Sequence, residues 1–312
     1  HECSSAASDV YKRQNYNSDV EKLDYKIRLV GTDISLDRFY SGEGPLSTIE
    51  DLINISSPNK KEKIIFIWPE GILPGISQDQ IQSYDYLFNE SFNENHLLIL
   101  GINSKSKVND QVKYYNSLSV YDHNLNLLNY YNKINLVPFG EFLPMENLLK
   151  NVGLKSLTNN YQSYSKGQKR EIIELNQNNF SIKFLPLICY EIIYSGKLYK
   201  NDDFDIIVNI SEDGWFGQSI GPEQHFVHSI FRAIESGKYV IRSANNGIAA
   251  IVNPLGNIEE KINFKEVGYI DFTKMRKIQP TIFSKYGNKI FGLIILLYIF
   301  LIFSFNSCLL YT

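Results

Sequence analysis

Residues 181–191 read SIKFLPLICYE, and the way this stretch folds decides how the chain is organised. An apolar run of strand length carries Cys189 to its C-terminal end, and Tyr190 and Glu191 follow at once. Of the three cysteines, Cys3 lies in the N-terminal tail and Cys308 in an apolar C-terminal tail, so Cys189 is the one thiol of the body. One body cysteine offers no disulfide framework. A lone cysteine after an apolar run also fits a small buried hydrophobe. What the other strand ends carry must separate the two readings.

Residues 63–71 read KIIFIWPEG. The β-branched and aromatic run 64–68 is too short for a helix and is closed by Pro69 and Gly71, which predicts a buried strand ending at Glu70. Residues 114–121 and 127–133 flank a turn-rich pentapeptide, so they read as a hairpin that ends at Lys133. Three strand ends therefore present a carboxylate, an ammonium and a thiol. In α/β sheets such ends collect catalytic groups, because a rigid sheet positions the loops there. The chemistry is coherent. A free thiol has a pKa of about 8.5 and needs a base or a nearby cation to attack at neutral pH. Glu70 can be that base. Lys133 can stabilise a thiolate and an oxyanion, with the backbone N–H of Tyr190 as a second donor.

With 312 residues, 44% hydrophobic and 21% charged, the chain can bury one large α/β core. Further strands are expected at 25–30, 97–101, 205–210, 239–243, 248–252 and 269–272, and helices at 45–54, 78–92 and 222–236. Crossovers mixed with hairpins predict a mixed sheet covered by helices, not a parallel barrel. Residues 154–170 read as a long loop. The net charge of −3, without a basic stripe, argues against nucleic acid as a partner. Residues 1–24 are expected to be a tail outside the fold, lacking the apolar centre of a signal peptide, and 25–280 the catalytic body. Residues 285–311 are expected to be a transmembrane helix: IFGLIILLYIFLIFSF (290–305) carries no charge, and a bilayer span needs about 20 apolar residues. Arg276, Lys277, Lys285 and Lys289 precede it, a charge bias that by itself would put the body in the cytoplasm. His225 and His228, with Glu223, sit at helical spacing but lack a metal-binding HExxH pattern, so structural or capping roles are expected. Arg232 and Glu235 are expected to pair on the helix surface or with Arg242, and His96 and His123 to be surface residues.

The segments WPEG, YNKINLVPFGEFLP, ICYEII and NISEDGWFGQSIGPEQHF resemble the nitrilase superfamily, and more narrowly its apolipoprotein N-acyltransferase branch, over residues 26–272. The resemblance implies an α/β fold, a nitrilase-like α-β-β-α sandwich with a C-terminal transmembrane helix. It implies Cys189 as acyl-carrying nucleophile, Glu70 as general base and Lys133 as oxyanion stabiliser. It adds Glu141 as a second essential carboxylate, Tyr190 and Glu191 as residues lining the site, and Trp215 near the substrate pocket. The implied reaction moves a fatty acyl group from a membrane phospholipid, through a cysteine thioester, to the α-amine of a diacylated apolipoprotein, with no metal or organic cofactor. It also implies a bacterial inner-membrane location with the body facing the periplasm, against the charge bias, because lipoproteins are modified after export. Family members carry N-terminal membrane helices, so this chain is expected to be part of a longer protein. A family tryptophan after the first strand stands here as Phe39 or Tyr40. Residues 142–154, with Leu148 and Leu149, are expected to form a lipid-facing lid. A membrane-tethered amidase would share the triad, and a catalytically dead binding module is a third reading.

Overall fold

The computed structural model describes residues 20–41, 44–108, 110–145, 163–177, 180–196, 198–199 and 202–309, with side chains left out at 108 and 306–309. In chain order the elements are β1 (Glu21–Thr32), α1 (Leu46–Ser56), β2 (Ile64–Ile67), α2 (Asp85–Ser91), β3 (His96–Val108), β4 (Gln111–Asp122) and β5 (Leu127–Asn132). They continue with β6 (Ile173–Gln177), β7 (Phe180–Ile188), β8 (Ile206–Glu212), α3 (Gly221–Ser236), β9 (Tyr239–Asn245), β10 (Ala249–Val252), β11 (Ile258–Ile262), β12 (Gly268–Met275), α4 (Ile282–Tyr286) and α5 (Lys289–Leu309).

Side-chain alternation sorts these elements into layers. On β2, Ile65 and Ile67 join Leu29 and Ile99 in a core shared with Phe184, Ile188, Val208 and Ile241 of the other half. Their neighbours Ile64 and Phe66 turn the opposite way, onto Ile49 and Leu52 of α1 and Phe88 of α2. In the second half Leu185, Leu187, Ile207 and Val240 turn outward onto Phe226 and Ala233 of α3. A period of two thus buries both faces of both halves, giving the α-β-β-α sandwich. The hydrogen-bonded path runs β5-β4-β3-β2-β1-β9-β8-β7-β6. Among the described residues its halves pair where Gly31 and Thr32 meet Ala244 and Asn245. Parallel β1–β2, β2–β3, β7–β8 and β8–β9 pairs stand beside antiparallel hairpins, the mixed pattern expected.

Several boundaries differ from the sequence reading. β3 runs on to Val108, because β4 pairs with it residue by residue from Asp122 to Gln111. Its polar extension NSKSKV follows the ladder and carries no apolar signal. The helix expected over 78–92 is reduced to Asp85–Ser91 behind a short 3-10 turn, since Gln78 is held extended by its N–H on the Asn103 carbonyl at 2.7 Å. β1 starts at Glu21, inside the expected tail, because Glu21 and Lys22 pair with Met275 and Lys274 of β12. His96 is fully buried, its Nε2 3.1 Å from the Asn59 carbonyl, and is not a surface residue. Arg232 and Glu235 do pair, at 2.8 Å, but buried beneath residues 193–196. The tail 1–19, the lid residues Leu148 and Leu149 and the first part of the 154–170 loop lie outside the described residues.

The apolar side chains of α5 from Phe291 to Phe305 are exposed on all sides. Among the described residues no helix is long and apolar enough to cross a membrane.

One glycine decides where the first candidate residue sits. A Cβ on Gly101 of β3 would lie 2.4 Å from the Glu70 Cα, so the turn after β2 rests directly on bare β3 backbone. Gly101→Ala must lift that turn. An overpacked core costs about 1–3 kcal/mol, and a misplacement of about 1 Å can cost about 100-fold in rate. The expected result is a melting temperature lowered by several degrees in thermal unfolding. An unchanged melting temperature would count against the turn at Glu70 depending on this contact.

Candidate active site

Glu70, Lys133 and Cys189 arrive from three different strand ends. Glu70 follows β2 and is 6% exposed. Lys133 directly follows β5, tied by its N–H to the Asn116 carbonyl at 2.9 Å and by its carbonyl to the Gly167 N–H at 2.9 Å. Its side chain is 1% exposed. Cys189 directly follows β7 with φ of 47°, a left-handed conformation that costs a non-glycine residue on the order of 1–3 kcal/mol. Such a turn at a strand end points a side chain away from the sheet and towards the groups beyond it.

The ammonium of Lys133 lies between two carboxylates, 3.0 Å from Glu70 Oε1 and 3.0 Å from Glu141 Oε1. Asn116 Nδ2 bridges the same two oxygens, at 2.7 Å to each. The remaining oxygens are also occupied: Glu70 Oε2 accepts from the Glu212 N–H at 3.0 Å, and Glu141 Oε2 from the Val137 N–H at 2.8 Å. Burial by itself would lower the lysine pKa, but Glu70, Glu141 and Cys189 outweigh it, and the pKa is raised well above the ordinary lysine value. Lys133 therefore stays charged and acts as an electrostatic group, not as a base. For Cys189 burial pushes the thiol up, Glu70 and Asp213 push it further, and Lys133 opposes them; the net shift is well upward. The resting group is a thiol.

Glu191 lies beneath this cluster with no exposure. Its Oε1 accepts from Tyr131 OH at 2.7 Å, the Ile134 and Asn135 N–H groups at 2.9 and 3.0 Å, and Arg170 NH2 at 2.7 Å. Its Oε2 accepts from the Ile188 N–H at 3.0 Å. One carboxylate thus ties the strand that ends at Cys189 to the segment that carries Lys133. Tyr190 is half-buried and packs edge-on against Tyr194 at 5.7 Å. Trp215 is 56% exposed and lies against Phe39, ring centres 5.2 Å apart. A cleft of about 610 Å³ opens over β3 to β5, lined by Ser104, Tyr115, Asn132 and others, but not by Glu70, Lys133 or Cys189.

Sequence reasoning missed Asn116, Arg170, Ser211, Glu212, Asp213 and Arg242. Cys189, Asp213 and His225 offer ligand atoms within 4.8 Å of one another. Within this group Arg242 NH2 lies 2.7 Å from Asp213 Oδ2 and 3.1 Å from His225 Nδ1, so a guanidinium already supplies a positive charge beside both.

The carbon-nitrogen hydrolase family model matches residues 26–275, a span that holds every residue of this cluster. This chain is a member of the carbon-nitrogen hydrolase family. It is 38% identical over 268 residues to the apolipoprotein N-acyltransferase of Rickettsia prowazekii (strain Madrid E), covering 85% of this chain and 52% of that protein. It is 34% identical over 210 residues to the apolipoprotein N-acyltransferase of Brucella suis biovar 1 (strain 1330), covering 66% of this chain and 39% of that protein. The chain thus spans about half or less of the length of these curated relatives. Among solved structures it resembles a glutamine-dependent NAD+ synthetase from Acinetobacter baumannii, with TM-score 0.55 and 17% identity over 82% of this chain and 48% of that one. It also resembles an amidase from Nesterenkonia sp. AN1 carrying an acetamide moiety on its active-site cysteine, with TM-score 0.51 and 14% identity over 83% of this chain and 91% of that one. At these identities the two structures speak for the fold alone.

Glu191→Gln leaves Arg170 without its buried counter-charge, a change that costs about 3–5 kcal/mol in comparable pairs. Thermal unfolding should show a loss of that order, roughly 6–20 °C in a domain of this size. A shift below one degree would mean that the carboxylate does not hold the two segments together.

Proposed function

We propose that this chain is the catalytic part of an apolipoprotein N-acyltransferase. The observation that carries the reading is the Lys133 ammonium clamped between Glu70 and Glu141 beside a positive-φ cysteine. It occurs in a chain 38% identical to a protein that bears that name.

In the first half-reaction Cys189 Sγ attacks the carbonyl carbon of a phospholipid ester while its proton passes to Glu70. The oxyanion forms against the Lys133 ammonium and the Tyr190 backbone N–H. Collapse expels a lysophospholipid alkoxide, which takes the proton back from Glu70, and leaves a thioester on Cys189. In the second half the α-amine of a diacylglyceryl-cysteine attacks the thioester and loses its proton to Glu70. The departing thiolate recovers that proton, and the acylated lipoprotein is released. Glu141 keeps the lysine in place throughout, and Phe39 with Trp215 forms an aromatic contact for the incoming substrate.

The exposed apolar surface of α5 supports a membrane anchor, which the sequence extends beyond residue 305 through Leu309, Leu310 and Tyr311. In this reading the protein lies in a bacterial inner membrane with its body facing the periplasm.

The deciding measurement is intact mass after incubation with detergent-solubilised phospholipid and no acceptor. The expected result is a gain of one fatty-acyl mass that hydroxylamine removes and Cys189→Ser abolishes. Glu70→Gln should slow that gain by roughly 100-fold or more, the usual range for a lost general base. Ammonia release from small amides, with no acyl gain in the chain joined to its family's N-terminal helices, would favour the amidase.

A further inference from the structure

The acyl-transfer steps above give no task to the buried pair of Arg38 and Glu212. Glu212 ends β8, where its backbone N–H already holds Glu70 Oε2 at 3.0 Å. Its side chain serves a different segment. Oε2 accepts from Arg38 NH2 and, at 2.7 Å, from Asn245 Nδ2, while Oε1 accepts from the Gly214 N–H at 2.9 Å and from Asn246 Nδ2 at 3.3 Å. Burial raises the Glu212 carboxyl pKa on balance, with Arg38 opposing it, so the pair is a poor source of stability. Its value is positional.

Arg38 belongs to the 3-10 turn Leu36–Phe39, which follows β1. Its NH1 donates to the Ile34 and Ser35 carbonyls at 3.2 and 2.9 Å. The Ile34 carbonyl also accepts from Asn245 and Asn246, at 2.9 and 2.8 Å, so the turn is fastened both to Glu212 and to the end of β9. Two glycines let it approach the site. A Cβ on Gly214 would lie 2.8 Å from Glu212 Oε1 and 3.1 Å from Leu36 Cδ2. One on Gly71, directly after Glu70, would meet the Phe39 ring at 3.6 Å. Phe39 therefore lies over the backbone next to Glu70, with Trp215 on it at 5.2 Å between ring centres and the Arg38 guanidinium 4.5 Å from its own ring centre.

Glu212 thus reaches in two directions. Its backbone fixes Glu70, and its carboxylate, through Arg38, fixes the aromatic pair alongside. We propose that Arg38 and Glu212 are positioning residues that hold the Phe39–Trp215 wall in register with Glu70 and so set the affinity for the chain of a long acyl donor. A long acyl chain offers apolar surface to two aromatic rings, and an acetyl group offers almost none. Displacing the wall weakens binding that ground state and transition state share, which raises KM. The value of kcat, governed by Glu70, Lys133 and Cys189, changes less. Arg38→Met keeps an unbranched apolar stem, removes the guanidinium and leaves the Glu212 N–H on Glu70.

The inference rests on the acyl-ester chemistry of the proposed function, and its test reads a ratio between two esters. The 312-residue chain in detergent is assayed with p-nitrophenyl decanoate and p-nitrophenyl acetate. In Arg38→Met the KM for decanoate should rise relative to that for acetate by about two- to tenfold, the worth of one aromatic contact. Arg38→Lys, which keeps the charge, should recover part of that loss. Phe39→Ala should produce the same selective loss, and adding Arg38→Met to it should change the ratio little, because both act through one wall. An unchanged ratio, a fall in kcat alone, or an Arg38→Met effect undiminished in Phe39→Ala overturns the proposal. If phospholipid leaves no acyl group on Cys189 while the decanoate effect and its dependence on Phe39 persist, the acyltransferase reading falls and this one stands. Acylation by phospholipid without that effect leaves the acyltransferase standing and sinks this inference.

Discussion

The rest of the structure depends on the burial of the Lys133 ammonium. An isolated ammonium in a protein interior costs several kcal/mol even after relaxation. Here two carboxylates at 3.0 Å offset that cost. Two carboxylates share the one ammonium. In the proposed reaction Glu70 stops competing for Lys133 once it accepts the thiol proton, and the ammonium then faces the oxyanion that develops beside it. On that reading base and electrostatic stabiliser are coupled through one 3.0 Å contact.

Around this cluster the same device recurs at other strand ends. Glu191 with Arg170, Asp213 with Arg242 and Glu212 with Arg38 are three buried carboxylate–guanidinium pairs. Each accepts or donates further hydrogen bonds to backbone or side chains near the strand ends. Paired charges of this kind are weak sources of stability and strong sources of position, because a half-broken pair is so costly. Glu212 illustrates the second property. Its side chain holds Arg38, Asn245 and Asn246, while its backbone N–H fixes the Oε2 of Glu70. Glu70 is therefore oriented by a residue whose own carboxylate accepts from Arg38, Asn245, Asn246 and the Gly214 N–H.

Much of this was legible in the sequence. Glu70 and Cys189 were readable because short apolar runs stop at them, and Lys133 because a hairpin does. The layers were readable because β2, β8 and β9 are buried along their length, and β7 from Phe184 on, as strands covered on both faces must be. What escaped notice was set by register across the sheet. Asn116 lies mid-strand in YYNSLSVY and becomes a site residue only because it stands 46 residues from Glu70 and 25 from Glu141 in sequence yet touches both. Arg242 reads as an ordinary strand residue, but its partners Asn209 and Asp213 lie on and just beyond the neighbouring strand. His225 was expected to be structural. Its pairing with Asp213 gives that role a specific content, since both belong to one buried cluster with Arg242. β11, sequence IEEKI, is exposed at all but one position, so it carries no burial pattern to read.

The link between the site and the apolar helix follows from close packing. After Cys189 the chain passes through Gly196, whose backbone lies so near Gly287 that a Cβ on either would fall within 3 Å of the other's backbone. Gly287 stands between α4 and α5, two residues before the apolar helix begins. Tyr199 and Ser284 share a hydrogen bond across the same junction, and the Glu235 carbonyl accepts from the Thr281 N–H at 3.0 Å. Glu235 in turn binds the Gly196 N–H through its carboxylate at 2.6 Å. The segment that follows Cys189 is thus seated at Gly196 on the base of the apolar helix, through backbone contacts that leave no room for side chains. A helix anchored in a bilayer at that base would fix how far Cys189 stands from the lipid surface. An enzyme that takes its acyl group from a phospholipid requires that distance to be constant, whereas a hydrolase of dissolved amides does not.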